Sequence, residues 1–176
     1  MTTLLLARHG ETDWNRELRI QGSSDIELNE LGRRQARALA QELEHVELDA
    51  IYASDLSRAR TTAEAVAAFH GLEVRLDARL RERSFGSWEG FTREDIAALP
   101  DGSRHDGETD DEVRERMLEA VQAIADAHPG EQVLVVAHGG SLNTLWHHAV
   151  GERVERWANC AVYKLAVREG AFVAVD

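Results

Sequence analysis

"LLLARHGETDWN" occupies residues 4–15, and "VLVVAHGG" occupies residues 133–140. In each, an apolar run ends on a histidine followed by glycine. A continuous apolar run is the pattern of a parallel strand covered on both faces. In sheets of such strands, ligands bind beyond the carboxyl ends. His9 and His138 fall there, with Arg8 beside the first. Glycine after each histidine lets the backbone approach a ligand closely. Two imidazoles and a fixed positive charge at one crevice describe an oxyanion pocket.

The remaining pattern supplies the frame. Residues 3–8 read as a buried strand, followed by a polar loop over 9–27 that is long for a compact fold and therefore a functional candidate. A helix is predicted over 29–45, with Asn29 as N-cap and Leu31, Ala36, Leu39, Ala40 and Leu43 on its inner face. A strand at 49–54, a helix at 55–70 stopped by Gly71 and a strand at 73–76 follow. Residues 80–108 read as irregular, with a short helix near 92–98. Thr109 and Glu112 form a capping box that opens a helix bearing Val113, Met117, Ala120, Val121 and Ile124, ended by Pro129-Gly130. A strand at 132–137, a helix over 140–150 and closing strands at 159–167 and 171–175 complete the chain. Strands alternating with helices predict an α/β fold, a three-layer α/β/α sandwich on a mostly parallel central sheet. We expect one domain over residues 1–176.

Composition narrows the partners. The 176 residues carry a formal net charge of -12, which disfavours nucleic acid and anionic membrane surfaces. No apolar stretch approaches the roughly 20 residues of a membrane span. No basic-then-apolar leader is visible, and Cys160 has no second cysteine to pair with, so a reduced, cytoplasmic setting is expected. Cys160 itself reads as a packed, inert thiol. The positive charge is almost all arginine, Lys164 being the only lysine.

Further blocks give the chain a resemblance. "RHGETDWN", "SDLSRARTTA" at 54–63, "LRERSFGSWEG" at 80–90, "GET" at 107–109 and "AHGG" at 137–140 occur in this order. Together they resemble the histidine phosphatase, or phosphoglycerate mutase-like, superfamily over residues 4 to about 145. The resemblance implies that His9 attacks phosphorus and forms a phosphohistidine, its other ring nitrogen held by a backbone carbonyl of the same loop. The imidazole must be neutral to attack, which an ordinary pKa near 6.5 permits and neighbouring arginines favour. It implies further that Arg8, Arg58 and His138 surround the phosphoryl oxygens. Glu82 is the implied proton donor to the leaving group, with Glu89 as the rival that spacing alone does not exclude. Substrate contacts are expected from Thr12, Asn15, Gln21, Gly22 and Gly139. Residues 83–106 would form a small cap insertion.

On this resemblance the expected activity is that of a metal-independent phosphomonoesterase, needing no cofactor and acting on a small phosphorylated metabolite. Phosphoserine, a sugar phosphate, a phosphoglycerate derivative and α-ribazole phosphate all qualify. The alternative is a 2,3-bisphosphoglycerate-dependent phosphoglycerate mutase. Mutases carry a longer insertion and His-Gly-Asn, whereas here 24 residues separate Glu82 from Gly107 and the motif is His138-Gly139-Gly140. A metallohydrolase built from His9, His138, His147 and Glu82 lacks ligands at helical or turn spacing, and His147 and His148 point about 100° apart on a helix. A non-enzymatic binding module does not call for His9, Arg8, Arg58, Glu82 and His138 together. Phosphohistidine-protein phosphatases commonly lack the acidic glutamate. Arg60, Arg81 and Arg83 read as surface ion pairs, and Trp14 and Trp157 as packing aromatics. Asp106, near the expected mouth, would disfavour a second anionic group on the substrate. Oligomeric state is not written in these patterns.

Overall fold

A computed structural model describes residues 1–168 and 170–175. Its elements in chain order are β1 (Thr2–Arg8), α1 (Asp13–Arg16), α2 (Glu30–Leu43), β2 (Ala50–Ala53), α3 (Ser57–His70), β3 (Val74–Leu76), α4 (Arg93–Ala97), α5 (Asp110–Ala127), β4 (Gln132–Ala137), α6 (Gly139–Val150), β5 (Val162–Arg168) and β6 (Ala171–Val175). The sheet order is β3-β2-β4-β1-β5-β6. The first four strands run parallel; β5 lies antiparallel to β1 and β6 antiparallel to β5. The expected α/β class and mostly parallel sheet are observed.

Both faces of the central strands are buried, as their apolar runs require. Leu4, Leu6, Val133 and Val135 pack with Val113, Met117 and Val121 of α5 and Leu142 and Leu145 of α6. Leu5, Ala7, Leu134 and Val136 pack on the other side with Leu39 and Leu43 of α2 and Ala63 and Val66 of α3. Alternate residues of β1 and β4 therefore serve opposite cores, giving the three predicted layers. No helix among the described residues is long and apolar enough to cross a membrane.

Three local differences from the sequence reading have physical causes. Leu31 is exposed, and Gly32 takes the inner position at the start of α2. A Cβ on Gly32 would stand 2.0 Å from the Glu11 carbonyl, and one on Gly10 would stand 2.5 Å from the Gly32 carbonyl. Only paired glycines let α2 abut the loop after β1. The strand expected from 159 begins at Val162, because Cys160 adopts φ 59 and its N–H bonds the Arg8 carbonyl in a turn. Finally, the irregular segments 9–27 and 80–108 are joined: Ile20 and the Gly90–Phe91 pair exchange backbone hydrogen bonds of 2.8 and 2.9 Å.

Gly32→Ala should therefore destabilise the fold by about 1–3 kcal/mol through overpacking, whereas alanine in an open helix gains about 1 kcal/mol over glycine. Urea unfolding checks the sign; a more stable variant would contradict the close approach.

Candidate active site

Strand register delivers the two histidines. Arg8 pairs with Ala137 across β1 and β4, and the His9 N–H donates to the Ala137 carbonyl at 3.1 Å. His9 and His138 thus leave adjacent parallel strands at the same level, with ring centroids 5.1 Å apart. His138 then serves as the N-cap position of α6.

The two imidazoles are held as opposite tautomers. A carbonyl only accepts, so His9 Nδ1 carries the proton it donates to Gly10 O at 2.6 Å, and Nε2 keeps its lone pair. A guanidinium only donates, so His138 Nδ1 is the acceptor of Arg58 Nε–H at 3.2 Å, and the His138 proton sits on Nε2. That buried Nε2–H has no acceptor among the described residues. Both rings are lowered well below the usual histidine pKa, first by burial and then by the Arg58 charge, with Arg8 adding to both. Both are neutral near pH 7.

Arg58 is fully buried at the start of α3. Besides His138 it donates to the Ser24 carbonyl at 2.7 Å and the Gly22 carbonyl at 2.8 Å. Three of its five donors are thereby used, and two remain. Burial, more than any neighbouring charge, lowers its pKa to about 10. Arg8 donates to the Trp157 carbonyl and has a buried Nε–H with no partner among the described residues.

Arg8, His9, Asn15, Gln21, Gly22, Glu82 and Gly139 line one cleft of about 320 Å³. Arg58 and His138 lie fully buried beneath these residues. Thr12 does not line the cleft. Its hydroxyl caps α1 by accepting the Asn15 N–H and donates to Gln21 Oε1 at 2.6 Å, so its contribution is to fix Asn15 and Gln21. The Asn15 side-chain oxygen accepts from Thr12 N and lies 3.4 Å from Asn159 Nδ2.

The two candidate acids separate cleanly. Glu82 reaches the cleft and accepts from Gly140 N at 2.9 Å and Ser141 N at 2.8 Å. A Cβ on Gly140 would come within 2.6 Å of the carboxylate, so the glycine makes room for it. Glu89 points away from the cleft and accepts from the backbone and hydroxyls of Ser23 and Ser24 and from Phe85 N. Burial opposes its charge, but the bonds from Ser24, Ser23 and Phe85 together hold its carboxyl below the usual range. Glu89 thus fixes the loop whose carbonyls hold Arg58.

Other expectations resolve by position. Arg60, Arg81 and Arg83 pair with Glu64, Asp55 and Asp110. Burial, foremost, raises the Cys160 thiol to about 12. Trp157 packs with Trp146 and Tyr163 and also lines the cleft. Asp106 does not line the cleft; its carboxylate accepts from Ser87 N and Oγ, beside Phe85, which does. Sequence reading overlooked Arg19, Asn143, Glu155 and Arg156 on the cleft wall. The last three follow the "AHGG" block, and Arg156 acts electrostatically on Arg8. Among the described residues, no three His, Cys, Asp or Glu side chains converge as a cation site.

The sequence model of the histidine phosphatase superfamily (branch 1) matches residues 4–176, and the chain belongs to that superfamily. It is 38% identical over 191 aligned positions to probable phosphoglycerate mutase GpmB of Cronobacter sakazakii, covering 99% of this chain and 89% of the relative. The fold superposes on a mycobacterial glucosyl-3-phosphoglycerate phosphatase with TM-score 0.89 and 31% identity, covering 98% and 96% of the two chains. It superposes on a phosphoserine phosphatase of Entamoeba histolytica with TM-score 0.84 and 28% identity, covering 100% and 96%.

The depressed histidines make a signed prediction. Below about pH 6.5 the unfolded chain binds protons at these two positions and the native state does not, so stability falls as pH falls. The slope is up to about 1.4 kcal/mol per pH unit per histidine. Urea unfolding between pH 7 and 5.5 should give a shallower slope for His9→Asn and His138→Asn than for the native sequence; equal slopes would contradict neutral burial.

Proposed function

We propose that the protein is a phosphomonoesterase that hydrolyses a small phosphorylated metabolite through a phosphohistidine at His9, without a metal or cofactor. The observation that carries this reading is the pair of opposite tautomers: His9 offers a lone pair while His138 offers a proton.

In the first step His9 Nε2 attacks phosphorus, the Nε2–P bond forms and the ester P–O bond breaks. The departing oxygen keeps the bonding electrons and takes the proton of Glu82. The free Nε2–H of His138, the two remaining donors of Arg58, the buried Nε–H of Arg8 and the Asn15 amide bind the phosphoryl oxygens. Fixed donors in a water-poor site stabilise charge as it develops. In the second step Glu82 takes a proton from water, whose oxygen attacks phosphorus, and the Nε2–P bond breaks to give inorganic phosphate. A positioned acid and base contributes about 10²–10⁴-fold.

Residues 83–106 are proposed as a small cap, contributing Phe85 to the cleft wall. Arg93 in that segment lines an adjoining hollow that shares Arg8, Asn15, Arg19, Glu155 and Arg156 with the cleft. The short segment of 24 residues between Glu82 and Gly107 and the His138-Gly139-Gly140 motif favour hydrolysis over a mutase reaction. The mutase reading draws on the name of the Cronobacter relative. Arg156 and Arg19 on the rim support esters whose leaving group is acidic, such as phosphoserine or a phosphoglycerate derivative.

Turnover of p-nitrophenyl phosphate should survive EDTA and vanish in His9→Ala. In a panel of phosphorylated metabolites, inorganic phosphate should be released. Interconversion of 3- and 2-phosphoglycerate that depends on 2,3-bisphosphoglycerate, without phosphate release, would support the mutase instead. Loss of activity with EDTA, restored by a divalent cation, would overturn metal independence.

A further inference from the structure

Arg116, on α5, stands outside the cleft yet commits all five of its N–H donors, three to carbonyls of the segment that carries Glu82 and two to the Glu108 carboxylate. Nη1 donates to the carbonyls of Arg79 at 2.8 Å and Arg81 at 2.7 Å. Nη2 donates to the Glu82 carbonyl at 3.1 Å and to Glu108 Oε2 at 2.8 Å, and Nε donates to Glu108 Oε1 at 2.7 Å. Glu108 closes the other side: its Oε2 accepts the Ser84 N–H at 2.8 Å, and its own N–H donates to the Ser84 carbonyl at 2.9 Å. Gly107 makes this closeness possible, since a Cβ there would stand 2.0 Å from the Ser84 carbonyl. Both side chains are mostly shielded, with 17% and 27% exposure.

The backbone around Glu82 is thus gripped from two directions, by a guanidinium on three carbonyls and by a carboxylate on the next N–H but one. A planar guanidinium fork reaches such a set; the single ammonium of lysine does not. An acid has to meet the leaving oxygen within hydrogen-bond reach, and an error of about 1 Å in placing a catalytic group costs on the order of 10²-fold.

We propose that Arg116 and Glu108 form a positioning clamp that sets the reach of the Glu82 carboxyl to the leaving-group oxygen. The proposal rests on the assignment of Glu82 as proton donor. It separates the clamp from the phosphate donors: loosening it impairs protonation of the departing oxygen while phosphate binding persists.

Leaving-group dependence reads this out. p-Nitrophenolate departs with little help from an acid, whereas the alkoxide of glycerol 2-phosphate needs its proton. kcat/KM spans substrate binding and the first phosphoryl transfer but not hydrolysis of the intermediate, and is measured for both esters with Glu82→Gln, Arg116→Lys, Glu108→Gln and the Glu82→Gln/Arg116→Lys double variant. Arg116→Lys should lower the alkyl-to-aryl ratio of kcat/KM by about 10–100-fold, within the range a positioned acid supplies. Glu108→Gln should lower it in the same direction. The inhibition constant of inorganic phosphate should stay within about twofold in both, as expected when the phosphate donors are untouched. The double variant should be no worse on the alkyl ester than Glu82→Gln alone, because residues acting as a unit are non-additive. If Glu82→Gln shifts the ratio but folded Arg116→Lys and Glu108→Gln do not, the clamp is refuted while the acid assignment stands. If both esters fall equally, Arg116 is merely structural. If Glu82→Gln itself leaves the ratio unchanged, the acid assignment fails first and the clamp with it. Glu108→Gln keeps the test decisive should Arg116→Lys fail to fold.

Discussion

The pairing of β1 with β4 sets Arg8 opposite Ala137, so both strands stop at one level and release His9 and His138 side by side. Everything else at the site depends on that register. A slip of one residue would turn every apolar side chain of a strand to the wrong core. Here both cores are filled, by α5 and α6 on one face and by α2 and α3 on the other. The same burial that fixes the register therefore fixes the spacing of the two imidazoles. Packing and chemistry are specified by one set of residues.

Burial also sets the protonation states. Among the described residues Arg58 has no carboxylate in direct contact; its bonds go to two carbonyls and an imidazole. Desolvating a cation without an ion-pair partner costs several kcal/mol, and the large downward shift of Arg58 reflects it. Glu82, Asp25 and Glu89 offset that charge only in part, because burial outweighs each of them. Burial first, and the Arg58 charge second, keep both neighbouring histidines neutral. One buried guanidinium thus fixes the tautomer of His138 and helps hold two imidazoles neutral, in a chain whose overall charge is strongly negative.

Much of this was legible in the residues. The apolar runs of β1 and β4 fixed their burial on both faces, and the capping box at Thr109 and Glu112 set the start of α5. Asn29 caps α2 as its side chain suggested. The illegible parts share a cause: they depend on which backbone approaches which. Leu31 lost the inner position to Gly32 because a loop distant in the pattern comes within van der Waals contact there. Thr12 reads as a substrate contact, but local capping claims its hydroxyl. Glu82 and Glu89 are indistinguishable by spacing; the fold decides by sending one to the N-terminus of α6 and the other beneath the 22–24 loop. Arg116 carries no motif signal of its own, since its partners are mostly backbone carbonyls that any sequence supplies.

The central claim is a covalent bond from the free nitrogen of His9 to phosphorus. The direct measurement is a rapidly quenched reaction with labelled substrate, followed by alkaline peptide mapping and phosphorus NMR of the trapped protein. The account predicts an acid-labile phosphoryl group on Nε2 of His9, because Nδ1 is held by the Gly10 carbonyl. Label on another residue, label on Nδ1, or a burst of free phosphate with no labelled protein would contradict it.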